Sequence, residues 1–327
     1  MKKLLVLLAL AIAAVFTGCR KNNFSISNLT STGTYPDSGK YTAGEFTYST
    51  SDVKEVALDW ISGSVNIVKS EESTLRVYET GTGLTEDQKL HWYLEGDLLR
   101  IKFCKSGYAG IFPPNTKDLT LEIPDGIKLE ASTVSAPVKM GSHSLIKAEL
   151  SSTSGDYDIE SINAEKIEIV TVSGNVGLSS AVLSETAKFG STSGKIELGT
   201  VAAEELKVSS TSGSISVRSA DIKTHIGFSS TSSRLSLDSA SCESLKFSTI
   251  SGNITLGLSK CANAKLDTTS GSCTLSLPES GAVIDFSSSS GDFICDKAVK
   301  NAEKNYVVGN GECEIKFSST SGNLTVN

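Results

Sequence analysis

A short motif built around a Ser-Gly pair returns along this chain every 19 or 20 residues. Clear copies are AELSSTSGDYDI at 148–159, IEIVTVSGNVGL at 167–178, LKVSSTSGSISV at 206–217, LKFSTISGNITL at 245–256 and IKFSSTSGNLTV at 315–326. The serine of the motif stands at Ser62, Ser135, Ser154, Ser173, Ser193, Ser212, Ser232, Ser251, Ser270, Ser290 and Ser321. A period this short and regular is typical of a solenoid, in which each repeat forms one coil and packs on its neighbours.

Apolar and polar residues alternate on both sides of the Ser-Gly pair. Leu245 and Phe247 precede Ser251, and Ile254 and Leu256 follow it, with polar residues between them. Period two indicates strands with one buried face. Two such strands and a shorter turn segment fill 19–20 residues, so each repeat predicts one coil, stacked in parallel on the next. Because parallel crossovers are overwhelmingly right-handed, the sequence predicts an all-β fold, a right-handed parallel β-solenoid.

The Ser-Gly pair is predicted to form the bend between the two strands. The serine and the residue two positions before it share the parity of the apolar residues, so we expect both to point inward and bind released backbone groups. Glycine permits a sharp turn, but Ala136 and Ser233 replace it twice, so positive φ is not required. Serines repeated without histidine partners are not nucleophiles. This predicted structural ladder contains Ser154, Gly155, Ser173, Gly174, Ser193, Gly194, Ser212, Gly213, Ser251, Gly252, Ser270 and Gly271.

The first residues have the features of an export signal. Two lysines precede an apolar run over 4–16, which is shorter than the about 20 residues of a membrane-spanning helix, so residues 1–18 are predicted to be a signal peptide. The sequence FTGC ending at Cys19 resembles the lipobox of bacterial lipoproteins, which implies cleavage before Cys19 and lipid attachment to it. The alternative is an ordinary signal peptide followed by a chance cysteine. Residues 19–44 are rich in Ser, Thr, Asn and Gly and are predicted to be a lipidated flexible tether.

The remaining residues, 45–327, are predicted to form one β-solenoid domain. Residues 45–134 contain longer alternating segments and a turn at Glu95-Gly96-Asp97, which predicts atypical N-terminal coils and a cap with a hairpin. Regular coils occupy 135–295. In 296–327 the Gly-Asn-Gly of NYVVGNGECEIKF predicts a hairpin before the last coil. Such ends are expected because a solenoid exposes its core and its strand edges there.

From about residue 50 onward the chain resembles a bacterial family of β-strand-repeat proteins of unknown function that are described as putative adhesins. The shared features are the repeated pattern t-x-S-G-x-I-x-L and a strand-rich N-terminal piece that ends near Ile123-Pro124. The resemblance implies a β-helical fold and a location in the cell envelope. It brings no catalytic residues.

Few residues suggest chemistry. Asp156, Asp158 and Glu160 are predicted to face outward, but adjacent coils add too few carboxylates for the six to eight oxygen ligands of calcium. The histidines lack zinc-ligand spacing, so no metal or cofactor is expected. Cys242 and Cys261 share one coil position. A disulfide between them is possible, but a ladder of buried thiols is favoured because parallel side chains hold their Cβ atoms too far apart.

One loop is a candidate for recognition. KSGYAGIFPPN at 105–115 places Tyr108, Ile111 and Phe112 among glycines and prolines, and aromatic residues dominate contact energies at interfaces. The alternative is that the loop covers the end of the core. A nucleic-acid partner is not expected, since the net charge is −7 and the isoelectric point is about 5.2.

These features predict a non-enzymatic, exported, lipid-anchored protein of the bacterial cell envelope, an adhesin or surface scaffold for a protein or glycan ligand. Membrane lipid, reached through Cys19, is the other expected partner. An alternative is an envelope-stress or assembly module that binds a membrane protein. A polysaccharide-acting β-helix enzyme is the least favoured, because it requires a groove with clustered carboxylates and basic residues that the sequence does not offer.

Overall fold

The computed structural model describes residues 33–49, 52–71, 74–110, 117–300 and 305–327. These ranges contain 26 strands joined in one sheet, one short 3₁₀ helix at Ser38–Lys40, and no α-helix. The fold is therefore all-β, as predicted. No helix in the described part of the chain has the length and apolar character needed to cross a membrane. The predicted signal peptide and Cys19 lie outside the described residues.

The strands fall into three groups along the chain. The N-terminal strands are β1 Thr42–Ala43, β2 Phe46–Ser49, β3 Glu55–Trp60, β4 Val65–Lys69, β5 Thr74–Thr80, β6 His91–Glu95, β7 Leu98–Lys102, β8 Asp118–Ile123 and β9 Lys128–Thr133. The central strands are β10 Val138–Ser144, β11 Lys147–Ser152, β12 Tyr157–Ala164, β13 Lys166–Thr171, β14 Val176–Leu183, β15 Thr186–Ser191, β16 Ile196–Ser210, β17 Ile215–Ser230, β18 Leu235–Thr249 and β19 Ile254–Thr268. The C-terminal strands are β20 Cys273–Ser276, β21 Gly281–Ser288, β22 Phe293–Ile294, β23 Val299–Lys300, β24 Tyr306–Gly309, β25 Cys313–Ser319 and β26 Leu324–Val326.

Successive repeats pair in parallel and in register, as the alternation predicts. Val138 pairs with Tyr157, Tyr157 with Val176 and Val176 with Ile196, so the register advances by 19, 19 and 20 residues. Pairings of this kind form two long ladders. The first ladder contains the residues before each Ser-Gly pair and the second contains those after it. Strands β16 to β19 each run through both ladders, and the register of their pairing shifts between the first ladder and the second.

The core lies between the two ladders. Strand β11 alternates half-buried and buried residues along its whole length. In-register pairing aligns its buried Ala148 and Leu150 with Ile167 and Ile169 of the next coil, so one apolar column runs through the stack. Phe228 and Phe247, at equivalent positions on adjacent coils, stack with ring centroids 4.4 Å apart and planes within 11°. Each coil therefore buries its apolar face against its two neighbours, which is why the coils need the array.

At both ends of the stack the order of the coils differs from their order in the chain. At the N-terminal end β3 lies between β7 and β9, and β4 lies between β8 and β10. At the C-terminal end β25 lies between β19 and β21, and β26 pairs with both β20 and β22. The first and last coils are thus inserted one place inward from the ends.

Antiparallel strands lie outside these inserted coils. In the first ladder β6 pairs with β7, and β1 pairs with β6; at the opposite end β24 pairs with β21, and β23 with β24. The hairpin predicted at Glu95-Gly96-Asp97 is confirmed by the β6–β7 pairing. The hairpin predicted at Gly-Asn-Gly is wrong, because β24 already covers the outer edge of β21 and leaves only its inner edge for β25.

The predicted tether also needs correction. Part of it is folded: Thr42 pairs with Trp92 and Ala43 with His91, and the Gly44 N–H donates to the Leu90 carbonyl at 2.9 Å. The sequence did not reveal this contact because the segment is polar. A two-residue edge strand buries little apolar surface, so it needs no apolar pattern. Residues 33–44 therefore belong to the N-terminal cap.

Candidate functional site

The Ser-Gly bend is held by the residue two positions before the serine. Ser152 is buried, and its Oγ accepts a hydrogen bond from the Gly155 N–H at 2.7 Å. Equivalent bonds join Gly174 to Thr171, Ser233 to Ser230, Gly252 to Thr249, Gly271 to Thr268, Gly291 to Ser288 and Gly322 to Ser319. The inward hydroxyl predicted at this position is confirmed.

The serine of the pair itself does not point inward, and that prediction is wrong. Ser154 is exposed, as are Ser173, Ser193, Ser212, Ser251 and Ser270. The chain turns at this residue, so strand parity no longer applies to it. The Ser154 Oγ still binds backbone: it donates to the Val134 carbonyl of the preceding coil at 3.2 Å. The hydroxyl is therefore occupied in the bend and has no histidine partner in the described residues.

The glycine allows adjacent coils to stack closely at the bend. A Cβ on Gly174 would lie 2.0 Å from the carbonyl oxygen of Gly155, and a Cβ on Gly194 would lie 1.9 Å from that of Gly174. Neither glycine has positive φ, which agrees with the prediction from Ala136 and Ser233. The ladder of serines and glycines is thus an architectural feature of the bend.

The acidic residues considered for calcium lie on the surface as predicted. Asp156, Asp158 and Glu160 are exposed. The Asp156 Oδ1 accepts a hydrogen bond from the Asn175 N–H at 2.6 Å, so this carboxylate links two coils. Asp158 is flanked in the ladder by Lys139 and Gly177. No group of three or more His, Cys, Asp or Glu residues within the described ranges converges on a point where a metal could bind.

The predicted recognition loop is only partly described. Ile111 and Phe112 lie outside the described residues. Tyr108 is half-buried and packs against the core, and its Oη accepts a hydrogen bond from the Gln88 Nε2 at 2.8 Å. For this residue the contacts are those of a cap.

Three stacked cysteines run along the core. Cys242 pairs with Cys261 in the ladder, and their Sγ atoms are 3.8 Å apart. Cys313, which belongs to the inserted coil, also bonds to Cys261. The row therefore contains three cysteines, one more than the predicted pair. The pKa of Cys242 and of Cys313 is raised, first because each thiol bonds to Cys261 and then because both are buried. The six described cysteines are all free thiols.

A buried ion pair, which the sequence did not reveal, ties the N-terminal cap together. The Lys117 Nζ lies 2.8 Å from the Glu79 Oε2. Both side chains are buried, with exposed fractions of 3 % for Lys117 and 5 % for Glu79. The Lys117 ammonium also donates to the carbonyls of Gln88 and Phe103. It lies over the Phe103 and Trp60 rings at 4.5 and 5.0 Å. Its donors are therefore used within the cap, which marks it as structural.

A group of three tyrosines lies on the outward side of the same cap. Tyr35 and Tyr41 have ring centroids 4.7 Å apart, and Tyr41 and Tyr93 are 5.5 Å apart. All three are half-buried. We call them the tyrosine row. Sequence reasoning missed it because Tyr35 and Tyr41 fall in the stretch assigned to the tether; the recurring aromatics between residues 35 and 48 were the available signal.

Comparison with solved structures finds several bacterial proteins of low identity. A putative lipid binding protein from Parabacteroides distasonis is 14 % identical, with coverage of 88 % of this chain and 97 % of that one and a TM-score of 0.42. A putative adhesin from Bacteroides fragilis is 11 % identical, covering 86 % and 96 %, with a TM-score of 0.36. A putative cell adhesion protein from Clostridium sporogenes is 11 % identical, covering 87 % and 98 %, with a TM-score of 0.20.

No curated protein matches the chain. A family model described as Toastrack DUF4097 matches residues 164–327, which is half of the chain. The match includes the Ser-Gly bends from Ser173 to Ser321 and the inserted coil of β25 and β26. These bends and coils are the repeating unit from which the rest of the solenoid is built. The chain belongs to the Toastrack DUF4097 family.

Proposed function

We propose that this protein is a non-enzymatic, lipid-anchored component of the bacterial cell envelope that acts as an adhesin or interaction scaffold. The proposal includes export by residues 1–18, lipid attachment to Cys19 and one right-handed solenoid domain over 45–327 with 19–20 residues per coil. Residues 33–44 add to its N-terminal cap. The handedness follows from the general rule for parallel crossovers.

The observation that carries the proposal is the outward surface of the first ladder. Its charged side chains pair with one another within and between coils: Lys166 lies 3.3 Å from Glu168 on the same strand and 3.7 Å from Glu149 on the preceding coil, and Lys188 on the next coil lies 2.7 Å from Glu168. Ladder hydrogen bonds fix the backbone beneath them. Such a surface is rigid and regular, and its charged groups are already engaged with each other. These properties suit recognition by an extended surface better than catalysis at one point.

The cellular location and the lipid anchor of the protein are tested on intact cells. Wild-type protein and a Cys19→Ser variant are expressed in the native bacterium, labelled with a fatty acid that carries a click handle, and treated with an added protease before lysis. We expect wild-type protein to take up the label and to be cleaved on intact cells, and Cys19→Ser to lose the label. Absence of label on the wild type would refute the lipid anchor.

Crosslinking on the same cells separates adhesion from assembly. Capture of host or matrix molecules supports an adhesin. A protein that resists external protease and crosslinks to one abundant membrane protein would instead be the envelope-assembly module considered above, and the adhesin proposal would fail.

A further inference from the structure

The aromatic residues of the N-terminal cap divide into two groups with different surroundings. Phe46, Tyr48 and Trp92 contact one another and pack against the core, so they close the end of the solenoid. The tyrosine row is not part of that core. In β6, Tyr93 follows Trp92 directly and therefore lies on the opposite side of the strand. Closure of the core thus accounts for the first group only.

The tyrosine row is held in a fixed position. Tyr35 is anchored at both its ends, because its Oη donates to the Cys104 carbonyl at 3.1 Å and its N–H donates to the Ser106 Oγ at 3.0 Å. Tyr41 lies between the 3₁₀ helix and β1, and β1 pairs with β6, which carries Tyr93. Three rings from two separate segments therefore form one row, in which the adjacent ring planes are tilted by 57° and 49°. A site that is already ordered loses little entropy when a ligand binds.

Charged side chains surround the rings in oppositely charged pairs. Asp37 lies 3.0 Å from Lys40, and Glu95 lies 3.1 Å from Arg100; Asp59 pairs with Lys102. The Lys40 and Lys102 ammonium groups lie over Tyr93 and Tyr35, 5.4 and 5.5 Å from the ring centroids. Three cations and three carboxylates leave the site neutral. It offers both hydrogen-bond donors and acceptors, and these three pairs give it no net charge that would attract a charged polymer.

The tyrosines add uncharged polar groups to this site. Burial raises the pKa of Tyr41 to about 12, with Arg100 opposing the shift and Asp59, Asp37 and Glu95 adding to it. The Tyr41 phenol is therefore protonated at neutral pH and can donate a hydrogen bond. Flat apolar rings, neutral hydroxyls and paired charges together form an amphipathic surface.

We propose that Tyr35, Tyr41 and Tyr93 form a binding platform for a neutral carbohydrate chain. A pyranose ring has an apolar face of C–H groups that packs on an aromatic ring, and equatorial hydroxyls that both donate and accept hydrogen bonds. The tyrosine row matches the face, and the ion pairs match the hydroxyls. This inference rests on the proposed adhesin function and names the class of its ligand.

The test measures binding of neutral oligosaccharides by calorimetry. Full-length protein is purified in a detergent without a sugar head group and titrated with maltohexaose and cellohexaose, and with an oligogalacturonate as the anionic comparison. We expect at least one neutral oligosaccharide to bind at millimolar concentration, and the anionic one to bind more weakly. Failure of both neutral oligosaccharides to bind, or tighter binding of the oligogalacturonate, would overturn the proposal.

Substitutions locate the site. Tyr41→Leu and Tyr93→Leu keep an apolar side chain but remove the ring, and each should weaken binding about tenfold. Tyr41→Phe keeps the ring and should retain most of the affinity. Tyr78→Leu is the matched control, because Tyr78 lies outside the tyrosine row but has similar surroundings. Tyr78 is also half-buried, its ring centroid lies 4.9 Å from the Arg76 guanidinium carbon, and its hydroxyl bonds to Glu122. Unchanged affinity in Tyr41→Leu and Tyr93→Leu proteins that unfold at the wild-type temperature would contradict the assignment.

The outcome of the binding test is independent of the cellular location of the protein. If the protein is cleaved on intact cells but binds no neutral oligosaccharide, the platform is refuted and the envelope proposal stands. If it binds the oligosaccharide but carries no lipid and is protected from protease, the envelope proposal fails and the platform stands.

Discussion

At the scale of single residues, the bend depends on a buried hydroxyl that closes a short hydrogen-bonded ring with the glycine three positions later. The copies are not equivalent. Ser152 accepts the Gly155 N–H, whereas the buried Ser191 Oγ has no hydrogen-bond partner within the described residues. The same side chain in the same place of two coils thus has two different energetic roles, and a pair of substitutions distinguishes them.

Ser152→Ala is expected to lower the free energy of unfolding by about 1–3 kcal/mol, because it leaves the buried Gly155 N–H without an acceptor. Ser191→Ala removes an unpaired hydroxyl and is expected to leave stability unchanged or slightly higher. Both are measured by chemical denaturation followed by circular dichroism. Equal losses in the two variants would mean that the hydroxyls act through volume alone.

At the scale of strands and coils, sequence reasoning recovered the repeat unit and missed the order of the end coils. Period-two alternation around pairs such as Leu245 and Phe247 fixes which face is buried, so the parallel register of β16 to β19 was predictable. The insertion of β25 between β19 and β21 was not, because IKFSSTSGNLTV at 315–326 has the same apolar pattern as any interior copy. The local apolar pattern determines that a segment forms a coil. Which coils it packs against depends on which strand edges are still unpaired.

The tyrosine row was missed for a related reason. Tyr35 and Tyr41 precede the repeats, in a segment without periodicity, and only the pairing of β1 with β6 brings them to Tyr93. The predicted recognition residues Tyr108, Ile111 and Phe112 were chosen from a single loop. A site assembled from two distant segments leaves no such local signature.

The inserted order of coils predicts an inverted pattern of stability losses. Phe317 is fully buried between Leu266 and Phe286, so Phe317→Ala should lower the free energy of unfolding by about 3–5 kcal/mol. Phe286 is only half-buried, so Phe286→Ala should cost about 1–2 kcal/mol. Stacking in chain order would make Phe286 the interior ring and Phe317 the terminal one. A larger loss for Phe286→Ala than for Phe317→Ala would therefore contradict the insertion.

At the scale of the whole molecule, the solenoid has a well-supported middle and two ends of different construction. Each coil from β12 to β19 is bonded to a neighbour on both sides. In the second ladder the N-terminal end is covered by the antiparallel strands β5 and β2. At the C-terminal end of that ladder the two-residue strand β22 has only β26 as a partner among the described strands. Stability is then close to a sum over neighbouring coils, and it falls toward the C-terminal end.

Hydrogen exchange measured by mass spectrometry should show this gradient. We expect peptides from 157–268 to exchange last, peptides from 42–49 to exchange earlier, and peptides from 293–300 and 305–309 to exchange first, because an end coil opens by breaking one interface and an interior coil by breaking two. Phe317→Ala should speed exchange across 281–300 and leave 157–210 unchanged, since each coil contacts only its neighbours. Tyr78→Leu serves as the control at the other end of the stack and should leave 281–300 unaffected. A single exchange rate for all protected peptides, with the same response to both variants, would show that the solenoid unfolds as one cooperative unit.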